Sequence, residues 1–470
     1  MVHLITELSK YLMIILFALY TYQCFAVLKR KIEPEKQTRK FHQQMVYMFL
    51  IHLNAYAVLY LSTQNQDLIL FYLVQVVFFI VVQICYLTVY RRASQLVVNN
   101  MCMLMMIGFI ILTRLSVDFA IKQFKIALIS MAVTMLIPFF ISRLKFFRNL
   151  AWMYAIAGIT LLGVVAVLGA VSHGAKLSFT VAGITIQPSE FIKIIFVFFV
   201  AAMYHESTEF IQVVKTTAVA ALHVIILVLS KDLGAALIFF IAYMVMLYVA
   251  TRKIYYFLGG LLCGCIASVV GYYLFSHVRV RVIAWQDPLA SFEREGNQIS
   301  NSLFAIGTGG WFGMGLNQGM PNKIPEVKQD FIFSAVSEEL GGIFALCLIL
   351  VCVSCFLMFL NIAMQMKDSF YKLVALGLGT IYGFQVFLSV GGDIKFIPST
   401  GVTLPLVSYG GSSLLSTLII FAIIQGLYLL REREEHEPDI KGTNKKKKKG
   451  GRVSHEETVK IHGTKVQNFD

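Results

Sequence analysis

Pro321-Asn322-Lys323-Ile324-Pro325-Glu326-Val327-Lys328-Gln329-Asp330-Phe331-Ile332-Phe333 is polar and proline-bearing, and it runs straight into Ser334-Ala335-Val336-Ser337-Glu338-Glu339-Leu340-Gly341-Gly342 and an apolar stretch beyond. A loop ends at Asp330 and an apolar helix follows, so the meaning of this junction depends on what surrounds the helix. With 58% hydrophobic and 14% charged residues and a mean hydropathy of +0.73, the chain has more apolar length than one soluble core uses. It reads as all-α, a polytopic membrane helix bundle. Asp330 then sits where a loop meets the membrane.

A spanning helix takes about 20 apolar residues. Thirteen such segments are read near 10–28, 41–62, 67–90, 99–116, 124–142, 150–171, 188–204, 214–230, 233–250, 255–276, 335–362, 371–392 and 403–430. The first, from Tyr11 to Leu28, has no basic leader or small-residue cleavage site and is expected to remain as a helix. The basic residues cluster in alternate gaps: Lys29, Arg30, Lys31, Lys36, Arg39 and Lys40, then Arg91 and Arg92, then Arg143, Lys145 and Arg148, then Arg252 and Lys253. Basic gaps mark the cytoplasmic side. With thirteen helices the amino terminus is therefore expected outside, and the carboxyl terminus, with its run Lys445 to Lys449, inside. The net charge of +14 reports this topology and not a nucleic-acid partner. The tail 431–470 is charged and is expected to be disordered. Its lysine run suits either anionic lipid or plain solubility. Eight cysteines lie inside apolar runs and are expected to be small buried hydrophobes. Cys352 and Cys355 have metal-like spacing but lack a second pair or a nearby histidine.

The loop from about 277 to 334 falls on the outer face and is by far the longest connection. It opens with Arg279, Arg281 and Trp285, a pattern that serves either interfacial anchoring or recognition of an anionic, lipid-linked substrate. Five glycines between Gly307 and Gly315 allow tight turns and close backbone approach, without the spacing of a nucleotide loop. Asp330 suits two roles. It is placed as a helix N-cap, and an ionised carboxylate there can also act as a general base toward a sugar hydroxyl.

Two polar clusters interrupt the membrane. Gln187-Pro188-Ser189-Glu190-Phe191-Ile192-Lys193 opens a helix and puts Glu190 and Lys193 on one face. An intramembrane charge pair is either a functional feature or a packing device. The segment from Gly391 to Ser413, with Pro398, Pro405, Ser408, Gly410, Gly411 and Ser412, breaks the backbone where it must be buried in protein or line a cavity. Its N–H groups and hydroxyls suit a phosphate or ordinary caps equally well.

Taken together, Gln187 to Lys193, Asp232-Leu233-Gly234, Gly307 to Gly315, Pro325-Glu326 with Asp330 to Phe333, Glu338 to Gly341, Pro398 to Gly401 and Ser408 to Ser413 resemble the SEDS (shape, elongation, division and sporulation) family, which is FtsW/RodA-like. The resemblance covers roughly residues 99 to 430. It implies a ten-helix core over 99–430, with about three extra transmembrane helices in 1–98 and the basic tail in 431–470. It further implies a glycosyltransferase of the bacterial cytoplasmic membrane that polymerises lipid II into peptidoglycan strands at the outer face, partnered by a class B penicillin-binding protein, a transpeptidase. Asp330 matches the aspartate that this family needs for polymerisation. Glu190 and Lys193 match a pair that supports activity. No cofactor is firmly implied. Charge on the departing pyrophosphate calls for cations or a divalent metal ion of open identity, and Arg279, Arg281, Lys323 and Lys328 are the cations in reach by sequence.

The chain departs from the family pattern at Lys231, at Asn301 and over Asp393 to Lys395. Two rival readings remain at this point, a lipid II flippase and a noncatalytic scaffold for the transpeptidase. Both tolerate loss of Asp330, and a polymerase does not.

Overall fold

The computed structural model describes residues 2–28, 33–143, 146–168, 170–172, 175–181 and 184–435. Lys29 to Lys31, Lys145 and the tail beyond 435, with Lys445 to Lys449, lie outside the described residues. The helices are α1 (Val2–Val27), α2 (Pro34–Thr63), α3 (Asp67–Val89), α4 (Gln95–Leu115), α5 (Val117–Thr134), α6 (Ile137–Arg143), α7 (Ala151–Leu168), α8 (Ser189–Glu206), α9 (Phe210–Leu229) and α10 (Leu233–Thr251). They continue as α11 (Ile254–Leu274), α12 (Ser276–Gln286), α13 (Asn297–Gly309), α14 (Ile332–Gln365) and α15 (Ser369–Asp393), with α16 at Gly411–Glu435. Eleven spans among the described residues are long and apolar enough to cross a membrane, α5 and α6 counting as one. The shorter α7 and the more polar α8 account for the other two segments read from the sequence. The chain is a multi-pass, all-α membrane protein.

Three details differ from the sequence reading. Strands β1 (Ala170–Ser172), β2 (Ala175–Val181) and β3 (Ile184–Ile186) form a small antiparallel sheet between α7 and α8. The long connection 277–334 is not an open loop, because α12 and α13 lie within it. The last helix starts at Gly411 and not near 403, since Pro405 and the turns before Ser408 keep residues 394–410 out of a helical ladder. The cysteines also divide. Five are buried and Cys85 is half-buried, but Cys263 and Cys265 are exposed on α11, a helix with no buried residue of its own.

The first three helices do not merely flank the bundle. They enclose α4, whose apolar window is buried along its whole length. Polar side chains join the layers: Tyr20 donates to Asn100 Oδ1 (2.9 Å), Asn99 donates to Gln44 (2.9 Å) and accepts from Gln83 (3.0 Å). Gln75 donates to Tyr56 (2.6 Å), whose hydroxyl meets Thr113 at 2.9 Å. Such interhelical bonds contribute about 0.5–2 kcal/mol each in a bilayer, where apolar burial cannot drive helix association.

The glycine stretch packs against α14. At Gly341 the helix breaks (φ 88°, ψ 165°), and residues 310–315 lie alongside the break. Met314 N–H donates to Glu338 O and Gly315 N–H to Glu339 O, both at 2.9 Å, while Gly342 N–H donates to Gly310 O at 2.8 Å. A Cβ on Gly313 would stand 2.3 Å from Glu339 O, and one on Gly341 2.4 Å from Gly313 N. Gly341→Ala is therefore expected to lower stability by about 2 kcal/mol or more, from left-handed strain plus a backbone clash. A thermal melt in detergent checks this, and an unchanged midpoint would contradict it.

These contacts also order the two ends of the bundle. Lys10 in α1 donates to Gly313 O (3.2 Å). Arg114, near the end of α4, donates to Glu339 Oε1 (2.7 Å) and Gly319 O (2.9 Å). At the other end, Ser94 exchanges two hydrogen bonds of 2.9 Å with Gln425 of α16. The start of α1 and the Asp330 region thus share one end, and the close of α16 lies at the other.

Candidate active site

Pro398 to Gly401 forms a turn wedged between three elements. Behind it is the start of α10, so close that a Cβ on Gly234 would lie 2.4 Å from Val402 Cγ2 and 3.0 Å from Thr400 O. In front are α12 and the segment before α14. Arg281 Nη1 donates to Ser399 O (3.0 Å). A Cβ on Gly401, which has φ +71°, would sit 3.5 Å from Asp330 Oδ2 and 3.7 Å from Arg281 Nη2. Asp330 and Arg281 therefore both face Gly401 on this turn. Burial pushes the Arg281 guanidinium down from its ordinary value, and the charges of Asp330 and then Asp232 hold it up. Guanidinium remains protonated in proteins, so a fixed cation stands beside the carboxylate.

The cap position of α14 is Phe331, without a side-chain cap, and the carboxylate facing the N–H groups of Phe333 and Ser334 belongs to Asp393. Asp330 closes a turn instead, its N–H donating to Glu326 O at 3.2 Å. Asp393 anchors further through its backbone oxygen, which accepts from Ser302 Oγ (2.7 Å). The charged stretch that departed from the family pattern thus secures the start of α14, next to Asp330.

The other cations named from the sequence go elsewhere. Arg279 donates to Tyr273 O (3.1 Å) and lies over the Tyr272 ring. Lys328 Nζ sits 3.9 Å from the centre of the Phe119 ring, while its backbone oxygen accepts from Tyr409 N–H (2.7 Å). Lys323 is exposed on a short 3-10 turn. Arg281 is the cation that the fold carries to Asp330.

Buried Lys193 and half-buried Glu190 form an ion pair (2.5 Å) that ties four segments together. Ser416 of α16 donates to Glu190 Oε2 (2.7 Å). Lys193 donates to Gln385 Oε1 of α15 (2.8 Å), and Gln385 in turn donates to Thr403 O (3.1 Å). One turn earlier, Ser189 and Gln187 donate to Asp232 Oδ2 (3.0 and 3.3 Å), while Asp232 Oδ1 caps α10 at Ala235 N–H (3.1 Å). The pair holds α8 against the polar segment that carries the 398–401 turn.

Ser408, Gly410 and Ser412 are also bound internally. Ser408 Oγ accepts from Leu404 N–H (2.9 Å), Gly410 N–H donates to Gln123 (3.2 Å), and Ser412 Oγ accepts from Gln187 N–H (2.9 Å). Gly411 starts α16 against Ile126. These bonds engage Ser408 Oγ, the Gly410 N–H and Ser412 Oγ within the protein. The sequence reading missed Gln123, Gln385 and Ser416. Gln385 had a usable signal, a lone amide in an apolar run, which is costly in a membrane unless it bonds to something.

The arrangement has relatives. The family model for FtsW, RodA and SpoVE, described as "Cell cycle protein", matches residues 94–432, well over half of the chain. The chain belongs to the FtsW/RodA/SpoVE family. The match takes in α4 to α16 and leaves α1 to α3 outside it. The chain is 34% identical over 322 residues to "Peptidoglycan glycosyltransferase RodA" of Mycobacterium tuberculosis, covering 64% of this chain and 69% of that one. It is 34% identical over 301 residues to "Stage V sporulation protein E" of Bacillus subtilis, covering 61% and 80%. Among solved structures, a chain from "Structural coordination of polymerization and crosslinking by a peptidoglycan synthase complex" superposes with TM-score 0.61 at 24% identity, over 73% of this chain and 98% of that one. RodA of Thermus thermophilus superposes with TM-score 0.53 at 22% identity, over 72% and 96%. At these identities the structural likeness speaks for the FtsW/RodA/SpoVE fold alone.

Proposed function

We propose that this chain is a peptidoglycan glycosyltransferase that polymerises lipid II, with Asp330 as general base. The observation that carries this reading is Asp330 beside Arg281 on the 398–401 turn, at one end of the bundle, in a chain whose relatives bear that activity in their names. Asp330 takes the proton of the acceptor sugar's 4-hydroxyl. That oxygen then bonds to the donor's anomeric carbon as the bond to the lipid pyrophosphate breaks, and the pyrophosphate leaves with the electron pair. Arg281 faces the charge that develops. Arg281→Lys keeps the charge but loses the planar fork that holds Ser399 O, and a fall in polymerisation of about tenfold or more is expected. Among the described residues no three His, Cys, Asp or Glu side chains gather to hold a metal, and no step here passes through one.

The orientation follows from charge. Arg91, Arg92 and Arg143 lie together at the end of the bundle opposite Asp330, and basic residues favour the cytoplasmic side. The amino terminus and Asp330 are then outside, where lipid-linked precursors are joined, and the carboxyl terminus is cytoplasmic. The partner in this reading is a class B penicillin-binding protein, a transpeptidase, in keeping with the synthase complex that supplied a structural neighbour.

The test is lipid II polymerisation by the purified chain with its transpeptidase and a divalent cation, with products separated by length. Long strands support the proposal. Movement of lipid II between leaflets without strands would favour transport instead.

A further inference from the structure

At the end of the bundle opposite Asp330, four arginines from three separate segments line one cavity of about 610 Å³. Arg91 and Arg92 come from the α3–α4 connection, Arg143 from the end of α6 and Arg433 from the end of α16. The cavity is firmly framed. Ser94, just past the two arginines, is doubly bonded to Gln425. Tyr90 donates to Met135 O (2.6 Å), and Arg433 donates to Ser142 O (3.2 Å). Arg143 lies over the Phe139 ring at 4.7 Å. Among the described residues none of the four arginines forms an ion pair. Of the three acids at the end of α16, Glu432 and Glu435 are engaged by Arg431, and Glu434 forms no ion pair with the four arginines among the described residues.

We infer that this cavity binds the headgroup of an anionic phospholipid. Four guanidiniums around one concavity, two of them held by the Phe139 ring and by Ser142 O, suit phosphate oxygens, which they bind through paired N–H donors. Arginines scattered for topology alone would not need to converge from three segments. The apolar rim favours a lipid over a free phosphate. Val89 and Phe139, which line the cavity with the arginines, are 67% and 46% exposed, so acyl chains can lie along α3 and α6 while the headgroup sits among the cations. Basic pockets between transmembrane helices take lipid headgroups in this way. Two of the four arginines follow α3, outside the matched family region, so the additional helices complete the site.

The test uses the full-length protein, delipidated in detergent, with binding followed by native mass spectrometry and thermal shift. The probes are phosphatidylglycerol, cardiolipin, phosphatidylcholine and inorganic pyrophosphate. Anionic lipids are expected to bind and stabilise, and phosphatidylcholine and pyrophosphate to bind at least tenfold more weakly. The double variants Arg91→Gln/Arg92→Gln and Arg143→Gln/Arg433→Gln should each weaken anionic lipid about tenfold or more, with unchanged melting in its absence. Changing Lys445 to Lys449 to glutamine should leave binding intact. Equal binding by the arginine variants would overturn the inference, as would loss of binding on changing the lysine run. Equal affinity for pyrophosphate would overturn the lipid assignment. If one double variant fails to fold, the other still decides, because each removes half of the guanidiniums. None of these readouts depends on polymerase activity.

Discussion

Asp330→Asn is expected to cut glycan polymerisation at least about a hundredfold while leaving the melting temperature in detergent close to that of the wild type. The amide has nearly the same shape and fills the same place over the 398–401 turn, but it cannot accept the hydroxyl proton at a neutral pH. Arg281 keeps a nearby negative charge in Asp232, and Asp393, which faces the first N–H groups of α14, is untouched. Fold and partner binding should therefore survive. Asp330→Glu retains a carboxylate but shifts it by one methylene against a turn that Gly401 keeps open, and an intermediate rate is expected. Wild-type strand lengths and rates from Asp330→Asn would leave the carboxylate a structural role only, and the general-base mechanism would fail.

Lys193→Met should destabilise the protein by about 1–3 kcal/mol, because the half-buried Glu190 carboxylate loses its cation and Gln385 its donor. Ser416 would still donate to Glu190, but a hydroxyl does not replace a charge. Gln385 would lose its donor at Oε1, loosening its hold on Thr403 O and hence the segment leading to the catalytic turn. In the Glu190→Gln/Lys193→Met variant the unpaired charge is gone, and part of the stability should return. Reversible unfolding in mixed micelles measures all three proteins. A single variant as stable as the wild type, or a double variant less stable than the single, would show that the pair is not what holds α8 in place.

Much of this was legible in residue order. Apolar length is a one-dimensional property, and every run of spanning length became a helix, including α8 with its charges. The glycine stretch from 307 to 315 announced close backbone approach and delivered it against Gly341. The choice among cations was not legible. Arg279 and Arg281 are two residues apart, and on a helix that separates their directions by about 200°. Only the roll of α12, set by packing and by Trp285 donating to Lys395 O (3.1 Å), turns Arg281 toward Asp330 and leaves Arg279 on Tyr272. Nor was it legible that a second carboxylate, Asp393 from α15, would face the first N–H groups of α14.

The sequence by itself therefore determined the solvent, the helices and the family motifs, because each depends on neighbours along the chain. The tertiary structure decided which charges meet. Asp330 and Arg281, Lys193 and Gln385, and the four arginines at the far end are each joined through space by groups far apart in sequence. Where such groups come to rest depends on helix rotation and on backbone breaks, and no local spacing encodes either.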